Sequence, residues 1–394
     1  MPRPVDDPEP VGRRPGPVDP RAPRGPLRRP RAAPRALLAL ALALLMGACS
    51  GAGAPSTSQP PAVDATTPAD APSAPSADAP PAPPPPAEDP EVVAERQALR
   101  DLLALAPAVT TSIGSPADGE LRGGVALPLR GPGFRFQPGK RDLARYGTVE
   151  LVQALVRAAA AVDRLHPGAP ATIGEIGFAE GGPLTGHGSH QAGRDVDVLF
   201  FLLDADGAPF PAKAIPLDPA GEGTEYGDLQ DPADDRPVKI DLPRTWAFVQ
   251  ALLEAAGDDV QRIFVVEHVR TLLLAEAARA GAPAAIVARF AEVTCQPGFP
   301  HDDHLHIRFF CAADDIAAGC TELDPIYPWQ RDRLAALGAA PATAKPRRKG
   351  SRPKLTTHEE ARAKAGPMHQ DVIDFLDRRR AWTRQPHPGR PYCR

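Results

Sequence analysis

Two short stretches set the terms on which this chain can fold. Residues 195–200 read Asp-Val-Asp-Val-Leu-Phe, and residues 304–309 read His-Leu-His-Ile-Arg-Phe. A β-strand turns successive side chains to opposite faces. As strands, each stretch therefore shows titratable groups on one side and apolar groups on the other. His304, His306 and Arg308 share a face against Leu305, Ile307 and Phe309, while Asp195 and Asp197 share one against Val196, Val198 and Phe200. Laid side by side, the two strands aim His306 and Asp197 at one point, together with His190, which lies seven positions before Asp197. Two imidazoles and a carboxylate are the usual ligands of a catalytic zinc, which keeps a fourth position open for water. Hydrolysis also needs a group that takes the water's proton and passes it on. His304, on the same strand face as His306, is the candidate.

The flanks extend these patterns. The first motif reads Ser189-His190-Gln-x-Gly-x-Asp195-Val-Asp197, with His187 just upstream, and the second reads His301-x-x-His304-x-His306-Ile-Arg308. In this order, with Leu127-Pro-Leu, the Tyr146-Gly147 turn and the Gly181-Gly182 approach, they resemble the penicillin-insensitive murein endopeptidases over roughly Leu127 to Cys320. These are zinc peptidases with His-x6-Asp and His-x-His motifs, related to D-Ala-D-Ala carboxypeptidases. The resemblance implies one Zn2+ per chain on His190, Asp197 and His306, with His304 and His301 catalytic. It implies cleavage of the D-alanyl–diaminopimelyl crosslink in peptidoglycan, without the acyl-serine that penicillin traps. A D,D-carboxypeptidase and a non-catalytic peptidoglycan-binding lipoprotein that keeps zinc for stability are the competing readings. His187 matches a family histidine and either orients substrate or a ligand, or hydrogen-bonds its loop. Asp195 either fixes a ligand's tautomer or satisfies a turn. Ser189 has no Gly-x-Ser-x-Gly context and reads as a backbone-bonding residue. Asp302 and Asp303 depart from the residues expected between His301 and His304. His166, His268, His358, His369 and His387 read as surface or packing residues.

The rest of the chain frames this core. Of 394 residues, 51 are proline, so much of the length is not folded domain. Residues 1–49 read as a secretory signal: an Arg-rich start, eleven apolar residues from Ala36 to Met46, too few to span a bilayer, then small residues. Met46-Gly-Ala-Cys49-Ser50 resembles a lipobox with Cys49 lipidated, and Ser50 favours the outer membrane under the sorting convention of enteric bacteria. Residues 50–90, rich in Pro, Ala, Ser and Asp, cannot bury enough surface to fold and read as an extended tether. Residues 91–335 then form the zinc endopeptidase domain, and residues 336–394 a basic linker and C-terminal tail. A net charge of −4 is too small to point to nucleic acid. The expected partners are peptidoglycan and, through Cys49, a membrane, in the periplasm.

Helical spacing over Val149–Leu165, Leu242–Ala256, Val269–Ala280 and Ala285–Phe290 alternates with short apolar strands at Val125–Leu129, Ala171–Phe178, Arg262–Val266 and His304–Phe310. Glu91–Ala106 reads as helix, the segment from there through Gly124 as loop, and Asp204–Pro237 as a long loop beside a cleft. The fold class is α+β, a small and mostly antiparallel sheet flanked by helices and carrying a mononuclear zinc site; the family's fold agrees. Once Cys49 is lipidated, four cysteines remain in an oxidising compartment. Cys311 and Cys320 close a short hop where the family has a local disulfide, which leaves Cys295 to pair with Cys393.

Overall fold

Apolar side chains recur along Val149–Leu165 at the spacing that lines one face of a helix. That helix forms over those residues, burying Val149, Leu151, Val152, Leu155, Val156 and Val162. A second helix, Leu242–Ala256, starts where Asp241 accepts a hydrogen bond from the Arg244 amide at 3.1 Å and Pro243 occupies the first turn. The two helices share one buried cluster with Val196, Val198, Leu305, Ile307 and Phe309, the aliphatic faces of the two motif strands. Each such Leu, Ile or Phe contributes roughly 1.5–3 kcal/mol by leaving water. Covering the aliphatic faces turns the histidines and aspartates to the opposite side. The computed structural model in which this is seen describes residues 89–345 and 358–383.

The main sheet has seven strands, in the spatial order Thr294–Cys295, Val260–Phe264, His304–Phe309, Asp195–Leu199, Ala171–Ile173, Phe134–Phe136 and Arg130–Gly131. Four of its six pairings are antiparallel and two are parallel. The fold is mixed α and β, as expected, but the sheet is not small. Its outer strands are only two or three residues long and sit between Gly and Pro turns, too short for alternation to be seen. The two motif strands lie at its centre, paired antiparallel with His306 opposite Asp197 and Arg308 opposite Asp195.

Other segments read as loop also form sheet. Thr111–Ser115 and Asp118–Arg122 make a hairpin. Four strands, Pro209–Phe210, Leu202–Leu203, Arg236–Ile240 and Glu222–Glu225, make a second sheet across the Asp-rich stretch. The aspartates there shape turns. Asp204 Oδ1 accepts from the amides of Asp206 and Ala208 at 3.0 and 2.9 Å, and Asp218 Oδ1 from those of Ala220 and Glu222 at 2.8 and 3.0 Å. Two helices, His358–Ala365 and Gln370–Thr383, lie in the stretch that composition marks as linker and tail.

Cys311 and Cys320 are joined by a disulfide. Cys295 is also disulfide-bonded, and Cys393 lies outside the described residues, as do the signal segment, Cys49 and nearly all of the Pro/Ala tether. Among the described residues no helix is long and apolar enough to cross a membrane.

One buried ion pair ties the hairpin, the sheet and the chain beyond it together. The Arg194 guanidinium donates to Ser112 Oγ at 3.0 Å, the Phe309 carbonyl at 2.9 Å, the Thr321 carbonyl at 3.0 Å and Glu322 Oε2 at 3.2 Å. Glu322 Oε1 in turn accepts the Cys311 amide at 2.5 Å. Removing one partner of a buried pair strands the other charge, at about 3–5 kcal/mol. Arg194→Met should therefore destabilise by about that amount in urea unfolding, and Arg194→Met/Glu322→Gln should recover a substantial part. Equal losses in the single and double variants would show that the stranded charge is not the cause.

Candidate metal centre

The site is assembled from the two central strands and the loops that enter them. After the Ala171–Ile173 strand the chain runs through Gly181, Gly182 and Gly186, all at positive φ, to His190, which has φ 68° although it carries a side chain. A left-handed conformation at a non-glycine residue costs of order 1–3 kcal/mol and persists only where the surroundings enforce it. Here the His190 amide donates to Asp195 Oδ2 at 3.1 Å, and its ring Nδ1 lies 3.0 Å from the Ile176 carbonyl. A carbonyl can only accept, so the neutral ring carries its proton on Nδ1 and turns the Nε2 lone pair inward.

Three donor atoms meet there. His190 Nε2 is 3.4 Å from Asp197 Oδ1 and 3.4 Å from His306 Nδ1, and His306 Nδ1 is 3.3 Å from Asp197 Oδ1. Zinc bonds of about 2.0–2.1 Å in a tetrahedron put neighbouring ligand atoms about 3.3 Å apart. The triangle has that edge. Asp197 Oδ1, one of its corners, is buried and has no hydrogen-bond partner among the described residues, the environment of a carboxylate oxygen shaped for a cation. The donor set and its spacing fit a zinc ion.

The supporting charges are arranged around Asp195. Its Oδ1 accepts from Arg308 Nε at 2.7 Å and lies 3.3 Å from His306 Nε2. One carboxylate thus holds the His190 backbone and faces the His306 ring, while the Ile176 carbonyl holds the His190 ring. Burial pushes the Asp195 carboxyl up, but Arg308 and His306 outweigh it and hold it well below the usual range. Burial likewise opposes ionisation of Asp197, and His190 and His304 outweigh it. His190 is raised, because Asp197 and Asp195 overcome the cost of burying its charge.

The other histidines line the same space. His304 Nδ1 lies 2.6 Å from Asp303 Oδ1, and its Nε2 is 3.4 Å from Asp197 Oδ1. Burial lowers its basicity, but Asp197 and Asp303 raise it further, to about 10. His301, at φ 53°, donates from Nδ1 to the Phe299 carbonyl at 2.7 Å, and its ring centroid is 4.9 Å from that of His304 and 5.3 Å from that of His306. Burial and the neighbouring His306 and His304 push it down to about 3. Two neighbouring imidazoles are thus driven in opposite directions, a pattern typical of acid–base sites.

His187 joins the cluster through a residue that sequence reasoning missed. Its Nε2 is 2.9 Å from Glu175 Oε2, its Nδ1 is 3.7 Å from Asp197 Oδ2, and its ring lies 4.2 Å from that of His190. Glu175 is buried, yet it accepts from Arg141 Nη2 at 2.6 Å and Lys140 Nζ at 3.2 Å. Those partners and His187 lower its carboxyl against the effect of burial. The only sequence signal for Glu175 is a charge inside an otherwise uncharged stretch, Ala171–Phe178. A cleft of about 440 Å³ opens over the site, lined in part by Gln137, Lys140, Arg141, His187, Asp303 and His304. His268 lies apart, its Nε2 2.9 Å from the Leu217 carbonyl, and His369 sits beside Asp235.

The comparisons with known proteins fall on this same region. A family model described as penicillin-insensitive murein endopeptidase matches residues 112–333. Penicillin-insensitive murein endopeptidases of Escherichia coli strain SE11 and of the O17:K52:H18 strain UMN026 are each 30% identical to this chain over 227 residues, 56% of this chain and 73% of the relative. The protein of the same name from the O127:H6 strain E2348/69 aligns to the same extent. The matched segment holds every histidine and aspartate of the cluster and stops short of the two C-terminal helices. The chain belongs to the penicillin-insensitive murein endopeptidase family.

Proposed function

We propose that this protein is an exported zinc metallopeptidase that hydrolyses amide bonds in peptidoglycan stem peptides, with the D-Ala–diaminopimelate crosslink as its substrate. The observation that carries this reading is the triangle of His190 Nε2, Asp197 Oδ1 and His306 Nδ1, at tetrahedral spacing beneath an open cleft, in a chain of this family. Those three residues would hold the ion, which when bound supplies Lewis-acid activation of water and of the scissile carbonyl. Three protein ligands rather than four favour a catalytic over a structural role.

The chain's own residues supply the remainder. Asp303 fixes the His304 ring through Nδ1, leaving Nε2, 3.4 Å from Asp197 Oδ1, to take a proton and return it to the leaving amine. His301, held neutral by its surroundings, stands beside it as a hydrogen-bonding partner for the developing charge. Lys140 and Arg141, on the cleft wall and partly exposed, complement the carboxylates of crosslinked stem peptides. We assign Cys49 as the lipid-bearing residue and the Pro/Ala stretch as the tether that carries the enzyme to the wall. Cys49→Ser should then move the protein from the membrane to the soluble periplasmic fraction on cell fractionation. A wild-type protein found wholly soluble would remove the anchor and leave the enzyme reading standing.

Incubating the purified protein with a crosslinked muropeptide dimer and weighing the products tests the activity. Two monomers are expected; loss of a terminal D-Ala alone would make it a carboxypeptidase, and intact dimer would leave only binding. His306→Ala should lose metal and turnover together. His304→Ala should keep about one equivalent of zinc while turnover falls by ~10²–10⁴. If His304→Ala loses zinc as fully as His306→Ala, His304 is a ligand rather than a base.

The pH profile gives a separate check. Asp303 raises His304, so Asp303→Asn lowers the pH at which His304 becomes protonated. A base must be unprotonated, so the acidic limb of kcat/KM should move to lower pH in Asp303→Asn. A shift to higher pH, or none, would separate that limb from His304.

A further inference from the structure

The helix Gln370–Thr383 lies beyond the segment shared with the family, yet it reaches the catalytic loop. Arg379 grips Asp302 with two parallel hydrogen bonds, Nε to Oδ2 at 2.8 Å and Nη2 to Oδ1 at 2.7 Å. Asp302 is fully buried and stands between His301 and His304 in the chain. Four residues further along the helix, the Thr383 carbonyl accepts from Gln296 Nε2 at 2.9 Å. The loop from Gln296 to His304 is thus pinned near both ends by one helix. The helix is itself seated: Val372 and Phe375 are buried, the Phe375 ring lies 5.9 Å from that of Tyr226, and the His369 amide donates to the Leu229 carbonyl at 2.7 Å.

The loop needs such a hold. His301 has φ 53°, a conformation that relaxes unless its neighbours prevent it. Its carbonyl accepts from the Val266 amide at 3.1 Å, and the Asp302 carbonyl from the Leu217 amide at 2.8 Å. These backbone bonds fix the path of the chain, while the paired guanidinium and carboxylate fix which way Asp302 turns. Asp302 faces the helix, and Asp303, next in the chain, lines the cleft and orients His304. A bidentate Arg–carboxylate pair with its carboxylate buried is among the more rigid polar contacts available.

We infer that the C-terminal helix is part of the frame of the active centre and that Arg379 is a positioning residue, holding His301 and His304 to the cleft through Asp302. This rests on the reading that those two histidines act in hydrolysis. The helix contributes no group to the reaction itself; it sets where two of them stand.

The full-length protein tests it by two readouts. Hydrogen exchange on the metal-free protein should show faster exchange over residues 297–304 in Arg379→Met, with the helix Val149–Leu165 unchanged. On a crosslinked muropeptide dimer, kcat should fall ~10–100-fold with KM little altered, the signature of misplaced catalytic groups. Arg379→Lys should recover part of both effects, and Arg378→Met should match wild type. Combined with Asp302→Asn, Arg379→Met should lose no more than the larger single effect, because both break one contact. Wild-type exchange and kcat in Arg379→Met would overturn the inference. Faster exchange throughout the domain, with no recovery in Arg379→Lys, would overturn it too, since Arg379 would then serve stability alone. Should wild type leave the dimer intact, the hydrolytic reading fails by itself, and the exchange pattern decides whether Arg379 holds the loop.

Discussion

The register between the strands Asp195–Leu199 and His304–Phe309 is the constraint on which the site depends. With His306 opposite Asp197 and Arg308 opposite Asp195, two titratable pairs stand on one face of the sheet. A slip of one residue would turn a strand over, burying its charges among the helices and exposing its aliphatic side chains. The five buried residues Val196, Val198, Leu305, Ile307 and Phe309 oppose such a slip by several kcal/mol each way, at about 1.5–3 kcal/mol per side chain. The packing on one face thus places the chemistry on the other. The ligand geometry is a consequence of where the aliphatic groups must go.

That face concentrates charge out of water, and isolated charges there would be prohibitive. The solution is a chain of mutual partners. Arg308 neutralises Asp195; Asp195 orients His306 and the His190 backbone; Asp197 faces His190, His304 and His306 with an oxygen that no hydrogen bond claims. A second chain runs from Lys140 and Arg141 through Glu175 to His187 and meets the first at Asp197. Both converge on Asp197, whose Oδ1 has no hydrogen-bond partner among the described residues. Electrostatic demand and donor spacing therefore point to the same atom.

How much of this was legible in the sequence follows from what periodicity can carry. The central strands and the Val149–Leu165 and Leu242–Ala256 helices are long enough to show their alternation or helical stripe, and they form where the pattern puts them. The two-residue strands at the sheet edges are not, and in the second sheet the aspartates that read as loop chemistry prove to shape tight turns beside its strands. His190, Asp197, His304 and His306 were marked by spacing. Glu175 was not, because its partners Arg141 and His187 lie on other segments and only folding brings them together. Arg379 is further still from Asp302 along the chain, in a stretch whose Pro- and Lys-rich surroundings read as linker.

The two strained histidines show how these levels meet. His190 and His301 are the non-glycine residues with positive φ among those described, and each begins the approach to a motif strand. At each, the cost of order 1–3 kcal/mol is offset by carboxylates that also serve the site. Asp195 takes the His190 amide while it orients His306. Asp302, itself buried and next to His301, is drawn into a bidentate pair with Arg379. The strain lets a ring enter the cluster from the end of a strand rather than from its face, which the two-residue repeat alone would not permit. His190 can therefore reach a point already served by His306 and Asp197, and His301 can stand beside His304 without displacing it. A glycine would accept either backbone more readily, but it would bring no imidazole, so the strain persists where the ring is needed.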